Sequence, residues 1–514
     1  MSKLPLANHV TSRMNYHVVP IRFANMPKRK PLPTATGEEL VAAWRLQMAG
    51  RLDEAEAGYR AMLASEPQRI EAMELLAGLR RQRGDLAEAL SLYAAMMKAD
   101  RRSAEAASNH AVVLTELGRP REALASLDCA LILNPDLVAA HHNRGNALFA
   151  LERFAEALTS FAYALTHDPG HVEAYYNRSN ALRELRRHHE ALAGYRMALA
   201  LAPHRTDIRV NEALTLLQIG KLWEGFAAYE CRRRGMVEPQ VPLWKGDAPI
   251  AGKTILIHAE QGFGDTIQFV RYAPMVAARG ARAVVAVPPP LKTLIATMPG
   301  ITALTAGDVQ PAIDFHCPMM SLPLAFGTEL DTIPRSVPYL RPPADRIAPW
   351  RARLAAAVEE GQRRVGIVWA GNAGFARDRQ RSIPLASLQH LFASRETSFI
   401  SLQRDLSPSD AAALAVRTNI VNVGPEFRDF ADAAAVISLL DLVIGADTAF
   451  LHLAGALAKP AYLLLPHSPD FRWMLDRDDS PWYPTIRLFR QPASGDWDSV
   501  AAAVGRALAD EDLR

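Results

Sequence analysis

The sequence predicts a multidomain chain in which an all-α solenoid of helical hairpins precedes an α/β region of two parallel-sheet lobes. Three observations predict it. Small residues recur every 34 positions through the first half, short apolar runs alternate with amphipathic stretches through the second, and a proline-rich segment divides that second half. Self-similarity at such a period marks stacked helix pairs, which bury a continuous core only by stacking. Strands alternating with helices imply parallel sheets covered on both faces.

Residues 1–35 hold Lys3, Arg13, Arg22, Lys28, Arg29 and Lys30 without an acid, then Pro27, Pro31 and Pro33. They lack the continuous apolar core of a secretory signal. They are expected to form a disordered basic arm, capable of weak contact with an acidic surface such as a membrane periphery. Over the 514 residues, 58 basic and 55 acidic side chains nearly cancel, leaving a formal charge of +3. That balance argues against a nucleic-acid binder, which needs a concentrated basic footprint. No run of 18 apolar residues suggests a membrane span. Cys129, Cys231 and Cys317 are far apart, so neither a disulfide framework nor a zinc site follows, and a cytoplasmic location is expected.

The repeats are expected over residues 36–237, in about six units. Ala55, Ala89, Ala123, Ala157, Ala191 and Gly225 form the anchor, each preceded by Glu and followed four positions on by Tyr59, Tyr93, Leu127, Phe161, Tyr195 and Tyr229. Small residues let paired helices approach, and the large side chain fills the gap above the next turn. Gly50, Gly84, Gly118 and Gly220 mark the turn inside four units, where a left-handed residue ends the first helix. Pro67, Pro135, Pro169 and Pro203 share one phase and are expected to start the following unit. This pattern resembles the tetratricopeptide family, with a degenerate sixth unit. Stacked hairpins offer a concave groove for a protein or peptide. Asn109, Asn143, Asn177 and Asn211 also recur every 34 residues. The resemblance implies that such a ladder grips the backbone of a bound peptide; the other reading is that these amides satisfy interhelical groups, since buried amides need partners in either case. The nearby histidines, among them His110, His141, His142, His188 and His189, show no metal-ligand spacing.

Beyond Trp244, strands are expected at Thr254–Ala259, Ala283–Val287 and up to Cys317, with a helix over Pro289–Met298. These make a first lobe at 250–340. Pro334–Pro343 opens a linker that extends over 341–360. A second lobe at 361–495 carries strands at Arg364–Trp369, Ser398–Leu402, Ile420–Val423, Leu442–Ile444 and Tyr462–Leu465, and 496–514 forms a C-terminal helix. Ligands of such sheets bind at the carboxyl ends of the strands, here in the cleft between lobes.

Three motifs could carry chemistry. In Gly445–Pro460 a strand leads into Asp447 and Thr448 where a helix starts, and free N–H groups there suit an anion. The small Ala449 lets a diphosphate approach; alternatively Asp447 or Thr448 is only a helix cap. After Trp369, Ala370, Gly371 and Asn372 enter a loop with Arg377, Arg379, Arg381 and Ser382. Guanidinium matches phosphate oxygens bidentately, which makes this loop a phosphate clamp or a solvated basic loop. The turn Glu260–Phe269 holds Asp265, a candidate general base or else a helix N-cap, with His258, Glu260 and His316 as further bases. The acidic string Asp476–Asp478 follows a helical run rather than a strand, so solvation is expected there and no metal site.

Together, GFGD, WAGN…RSIPL and DTAFLHLAGALAKP resemble the family-9, heptosyltransferase-like glycosyltransferases over about residues 250–495. The chain is most similar to a bacterial group that joins tetratricopeptide repeats to this domain, through EQGFGDTIQF, SLPLAFGT and SPWYPTIRLFRQ. The plan also resembles protein O-GlcNAc transferases. The resemblance implies a GT-B fold of two Rossmann-like lobes and an inverting, metal-independent transfer from a nucleotide-diphospho-sugar, with no cofactor. It implies that Asp265 activates a hydroxyl acceptor on a protein, glycan or lipid. Arg381 stands where the family has a lysine on the diphosphate. Asp447, Thr448 and His452 match a DTGxxH element, Ala449 replacing its glycine. The donor-binding set is thus Gly371, Asn372, Arg381, Ser382, Asp447, Thr448, Ala449 and His452, and the repeats hold acceptor or partner. The alternatives are a non-catalytic scaffold with a degenerate second half, a protein O-GlcNAc-transferase-like enzyme and a sugar-nucleotide epimerase.

Overall fold

The computed structural model describes residues 37–372, 374, 378–393, 396–417 and 419–512. The basic arm at 1–35 and Arg377 lie outside them. The chain divides into two compact units between Ile208 and Arg209.

The first unit is built of helix pairs: α1 (Glu38–Met48) with α2 (Leu52–Ser65), α3 (Ile70–Gln82) with α4 (Leu86–Ala99), α5 (Ala104–Glu116) with α6 (Pro120–Leu133), α7 (Val138–Ala150) with α8 (Phe154–His167), and α9 (Val172–Glu184) with α10 (His188–Leu201). The anchor alanines Ala55, Ala89, Ala123, Ala157 and Ala191 are buried, as are Tyr59, Tyr93, Leu127, Phe161 and Tyr195. The turn between paired helices needs a left-handed residue, and Gly50, Gly84, Gly118 and Gly220 supply it. Glu152 (φ 59°) and Arg186 (φ 61°) take the same conformation at the same phase, so the hairpin imposes it on side chains that rarely adopt it. The phased prolines open the following units without entering their helices. Pro67, Pro135 and Pro169 lie in the turn ahead of α3, α7 and α9, where a missing N–H also goes unmissed.

A sixth pair follows, α11 (Thr206–Gln218) and α12 (Leu222–Tyr229). α11 straddles the division, and α12 lies wholly in the second unit. There the Phe226 ring meets Phe269 edge-on at 6.1 Å. Buried Arg232 donates to Glu260 from Nη2 (2.7 Å) and Nε (3.0 Å) and to Ser321.

The second unit holds two all-parallel sheets. The first has the order β3-β2-β1-β4, from β1 (Thr254–His258), β2 (Arg282–Ala286), β3 (Ile301–Leu304) and β4 (Phe315–Pro318). Its helices are α13 (Phe263–Phe269), α14 (Ala273–Ala278), α15 (Pro289–Ile295) and α16 (Leu322–Ala325). The 341–360 stretch expected as linker folds into α17 (Ala344–Ala355), because Trp350 and Leu354 bury one face and Trp350 Nε1 donates to Asp432. The second sheet runs β10-β9-β8-β5-β6-β7, from β5 (Arg363–Val368), β6 (Thr397–Ser401), β7 (Ile420–Asn422), β8 (Leu442–Ala446), β9 (Ala461–Leu465) and β10 (Ile486–Arg490). Its helices are α18 (Asp378–Arg381), α19 (Pro408–Ala415), α20 (Phe430–Ser438), α21 (Ala449–Ala456) and the C-terminal α22 (Trp497–Asp512). Strand order reverses between β5 and β8, so their carboxyl ends sit side by side, with Val368 in register with Gly445. Such a switch point opens a crevice for ligands. Apolar side chains of α12, both sheets and the helices between them form one continuous core.

Candidate active site

Two sequence motifs meet at that switch point. β8 delivers Gly445 so close to β5 that a Cβ there would lie 2.2 Å from the Val368 carbonyl. Thr448 caps α21 in extended conformation without a side-chain cap bond, and its buried Oγ1 finds no partner among the described residues. From β5, the chain turns through Gly371, whose missing Cβ leaves room for Asp378 and for Arg381 Nη2, 2.4 Å from where a Cβ would stand. Ser382 Oγ accepts from Gly371 N–H (3.2 Å) and donates to Asp378 (2.9 Å). Asn372 turns inward on its own loop, accepting from Gly374 N–H. Arg379 is exposed, whereas Arg381 reaches across to the second motif: Nη1 donates to the Asp447 carbonyl at 2.9 Å and Nε to Asp378 at 3.0 Å.

Asp447 faces His452, with Oδ1 3.6 Å from Nε2. Burial pushes the Asp447 carboxyl up, but the His452 imidazole and the Arg381 guanidinium outweigh it and hold the group well below the usual carboxylate range. His452 is fixed from its other side by Tyr483 Oη, 2.9 Å from Nδ1, and its ring meets Trp473 at a tilt, 5.1 Å between centroids.

The third motif arrives from the first sheet. β1 ends at His258, and Gly262 caps α13 while Asp265 Oδ2 accepts the Gly262 N–H at 2.9 Å. The N-cap is thus Gly262 rather than Asp265, which reaches back from the third helical position to the N-cap N–H. Its Oδ1 is paired with Arg472, which projects from the turn after β9. Gly264 presses on α21: a Cβ there would lie 2.9 Å from His452 Cδ2 and 3.7 Å from Ala449 Cα. The further candidate bases are engaged elsewhere. Glu260 accepts from Arg232 and from Met320 N–H. His258 lies 3.2 Å from His316, and burial pushes it down to about 3.

Asp265, Arg381, Asp447, Ala449 and His452 thus converge, and Gly371 and Ser382 support them from behind. The asparagine ladder lies elsewhere. Asn143 is buried and donates to Ser108 (3.0 Å), and Asn177 is buried and donates to Asn146 (2.9 Å) with His142 at 3.2 Å. Asn211 is buried and Asn109 half-buried. Asn143 and Asn177 thus bond across to neighbouring helices.

Three residues at the site escaped sequence reasoning: Arg472, Trp473 and Gln403. Gln403 fills all four of its hydrogen-bonding valences on the loop backbone, accepting from Trp369 and Ala370 N–H and donating to the Ala370 and Asp405 carbonyls. Only the partners, distant in sequence, reveal these roles. Asp476–Asp478 lies in the loop beyond, and no group of three potential ligand side chains gathers as a metal site among the described residues.

Residues 108–165 and 142–206 match the tetratricopeptide repeat, and residues 397–474 match glycosyltransferase family 9 (heptosyltransferase). The chain carries tetratricopeptide repeats and a family 9 glycosyltransferase segment. That segment includes Asp447, Thr448, Ala449, His452 and Arg472; Asp265 and Arg381 lie ahead of it. The protein FlbA of Caulobacter vibrioides is 27% identical over 290 residues, which cover 52% of this chain and 48% of that protein. The chain thus aligns with about half the length of this curated relative. Among solved structures, the thermophilic tetratricopeptide protein TTC0263 of Thermus thermophilus is 27% identical, covering 35% of this chain and 97% of its own with a TM-score of 0.31. YrrB, a tetratricopeptide protein described as having an unusual peptide-binding site, is 24% identical, covering 33% and 88% with a TM-score of 0.28. Among the described residues no helix is long and apolar enough to cross a membrane.

Proposed function

We propose that the second unit is an inverting, metal-independent glycosyltransferase of GT-B type that moves a sugar from a nucleotide-diphospho-sugar to a hydroxyl acceptor. The observation that carries the reading is the packing of Gly264 on His452 and Ala449, which joins the Asp265 turn to the α21 N-terminus. In this reading the diphosphate takes the α21 N–H groups, the unpartnered Thr448 hydroxyl and Arg381, which meet the leaving-group charge without a metal. Asp265 takes the proton of the acceptor hydroxyl as its oxygen attacks the anomeric carbon and the bond to the diphosphate oxygen breaks. The repeats hold the acceptor or a protein partner of the enzyme.

The experiment is a screen of nucleotide sugars for thermal stabilisation and turnover by wild type, Asp265→Ala and Arg381→Ala. A donor is expected to stabilise the wild type, with turnover lost in Asp265→Ala and stabilisation lost in Arg381→Ala. No stabilising donor, or unchanged turnover in both variants, rejects the site. A non-catalytic scaffold is the second reading, favoured by the engagement of both Asp265 oxygens.

A further inference from the structure

Arg472 belongs to neither the capping of α13 nor the donor motif, yet it binds the Asp265 of the first and its neighbour Trp473 meets the His452 of the second. It sits in the turn Phe471–Trp473 after β9 and is 4% exposed. Nη1 donates to Asp470 at 2.6 Å, and Nη2 donates to Asp265 Oδ1. The Phe471 ring covers the guanidinium, 4.3 Å from its centroid. The next residue, Trp473, packs its ring at a tilt against His452 of the donor motif. The charge of Asp447 is also felt at Arg472. One nitrogen makes no bond: Nε is buried and has no partner among the described residues.

A buried guanidinium normally completes its hydrogen bonds, and this one, within the field of Asp447, keeps Nε as a donor that an anion can take. Asp265 presents the matching problem. With Oδ1 on Arg472 and Oδ2 on the Gly262 N–H, neither oxygen is left unengaged to take a proton. A diphosphate offers the guanidinium more charge and a bidentate geometry, and so competes with a single carboxylate oxygen.

We propose that Arg472 is a diphosphate ligand held in reserve by Asp265, so that entry of the donor draws the guanidinium away and releases the carboxylate for the acceptor hydroxyl. The proposal rests on the glycosyltransferase reading above and adds an order to it. Donor binds first, and the acceptor-activating group becomes available only then. Arg472 is in this sense a positioning residue for Asp265 and a binding residue for the donor.

Calorimetric titration of inorganic pyrophosphate into the full chain tests it. Asp265→Asn removes the competitor, so pyrophosphate is expected to bind about three- to tenfold tighter than to wild type, the range of one lost charge-assisted bond. Arg472→Gln is expected to weaken it by about tenfold or more, and adding Asp265→Asn to Arg472→Gln to change nothing further. Arg472→Met carries the same cycle if Arg472→Gln melts early. Tightening by Asp265→Asn that persists without Arg472 is simple charge removal and overturns the proposal. Equal binding to wild type and Asp265→Asn, with binding lost in Arg381→Ala, also overturns it while leaving the donor site intact. No pyrophosphate binding to wild type overturns both readings.

Discussion

Gly264 and His452 meet at a distance that excludes a methyl group: a Cβ on Gly264 would lie 2.9 Å from the imidazole Cδ2. The imidazole cannot yield, since Tyr483 holds Nδ1 and Trp473 covers the ring. Gly264→Ala must therefore push α13 and α21 apart. Overpacking of this kind costs about 1–3 kcal/mol, against about 1 kcal/mol gained from replacing glycine in a helix. The expected result is a lower urea midpoint and loss of donor stabilisation. In His452→Ala the same substitution should cost less than half as much, a coupling read from the double-mutant cycle.

Thr448 separates stability from binding. Its buried hydroxyl lacks a partner among the described residues, so no bond there adds to the fold's stability. Thr448→Val is expected to leave thermal stability unchanged or to raise it by up to about 1 kcal/mol. Pyrophosphate affinity should fall by about three- to tenfold, the value of one hydrogen bond to an anion. A variant that is destabilised with full affinity would assign the hydroxyl to the fold instead.

What the sequence made legible was whatever recurs or sits beside its partner. The anchor alanines announce the hairpins because every unit repeats the same close approach. The left-handed turns were visible only where glycine occupies them; Glu152 and Arg186 obey the same backbone with no residue preference to betray it. The edge strands β3 and β10 were not read from the sequence, although β10 is as long as its neighbour β9. The asparagine ladder was legible as a ladder, but whether an amide faces a groove or a neighbouring helix depends on Ser108 and Asn146 across the stack. Within the site, Arg381 and Asp447 could be named from their motifs. Arg472 could not, because its partner lies 207 residues earlier and only the packing of α13 against the turn after β9 brings them together.

Arg232 anchors α12 to the first sheet's loops. It is fully buried, with Glu260 on one side and Glu230 on the other at 2.8 Å. Arg232→Met leaves Glu260 buried without its charge partner, which costs about 3–5 kcal/mol. Chemical denaturation of the full chain should show the loss, and Glu260→Gln in the same protein should recover part of it. Because Glu260 precedes the Asp265 turn by so few residues, the single variant should also lose turnover, and the double variant should regain it in proportion to stability.

The repeats carry their own pH sensitivity at His142. The ring is buried, 4.7 Å from His171 and 3.2 Å from the Asn177 amide. Burial, then the neighbouring His171, pushes His142 down to about 3. The folded state thus holds it neutral, while the unfolded chain protonates near the ordinary value. Above about pH 6.5 neither state binds the proton and stability is flat. As pH falls below that value the unfolded state takes up a proton that the fold refuses, and stability drops by about 1.4 kcal/mol per unit until the folded value is reached. Between pH 7.5 and 5.0 the loss from this residue is on the order of 2 kcal/mol. His142→Gln cannot titrate, so its urea midpoint, followed by far-ultraviolet circular dichroism, should change less over that interval than the wild type's. Identical slopes in the two proteins would remove His142 as the source.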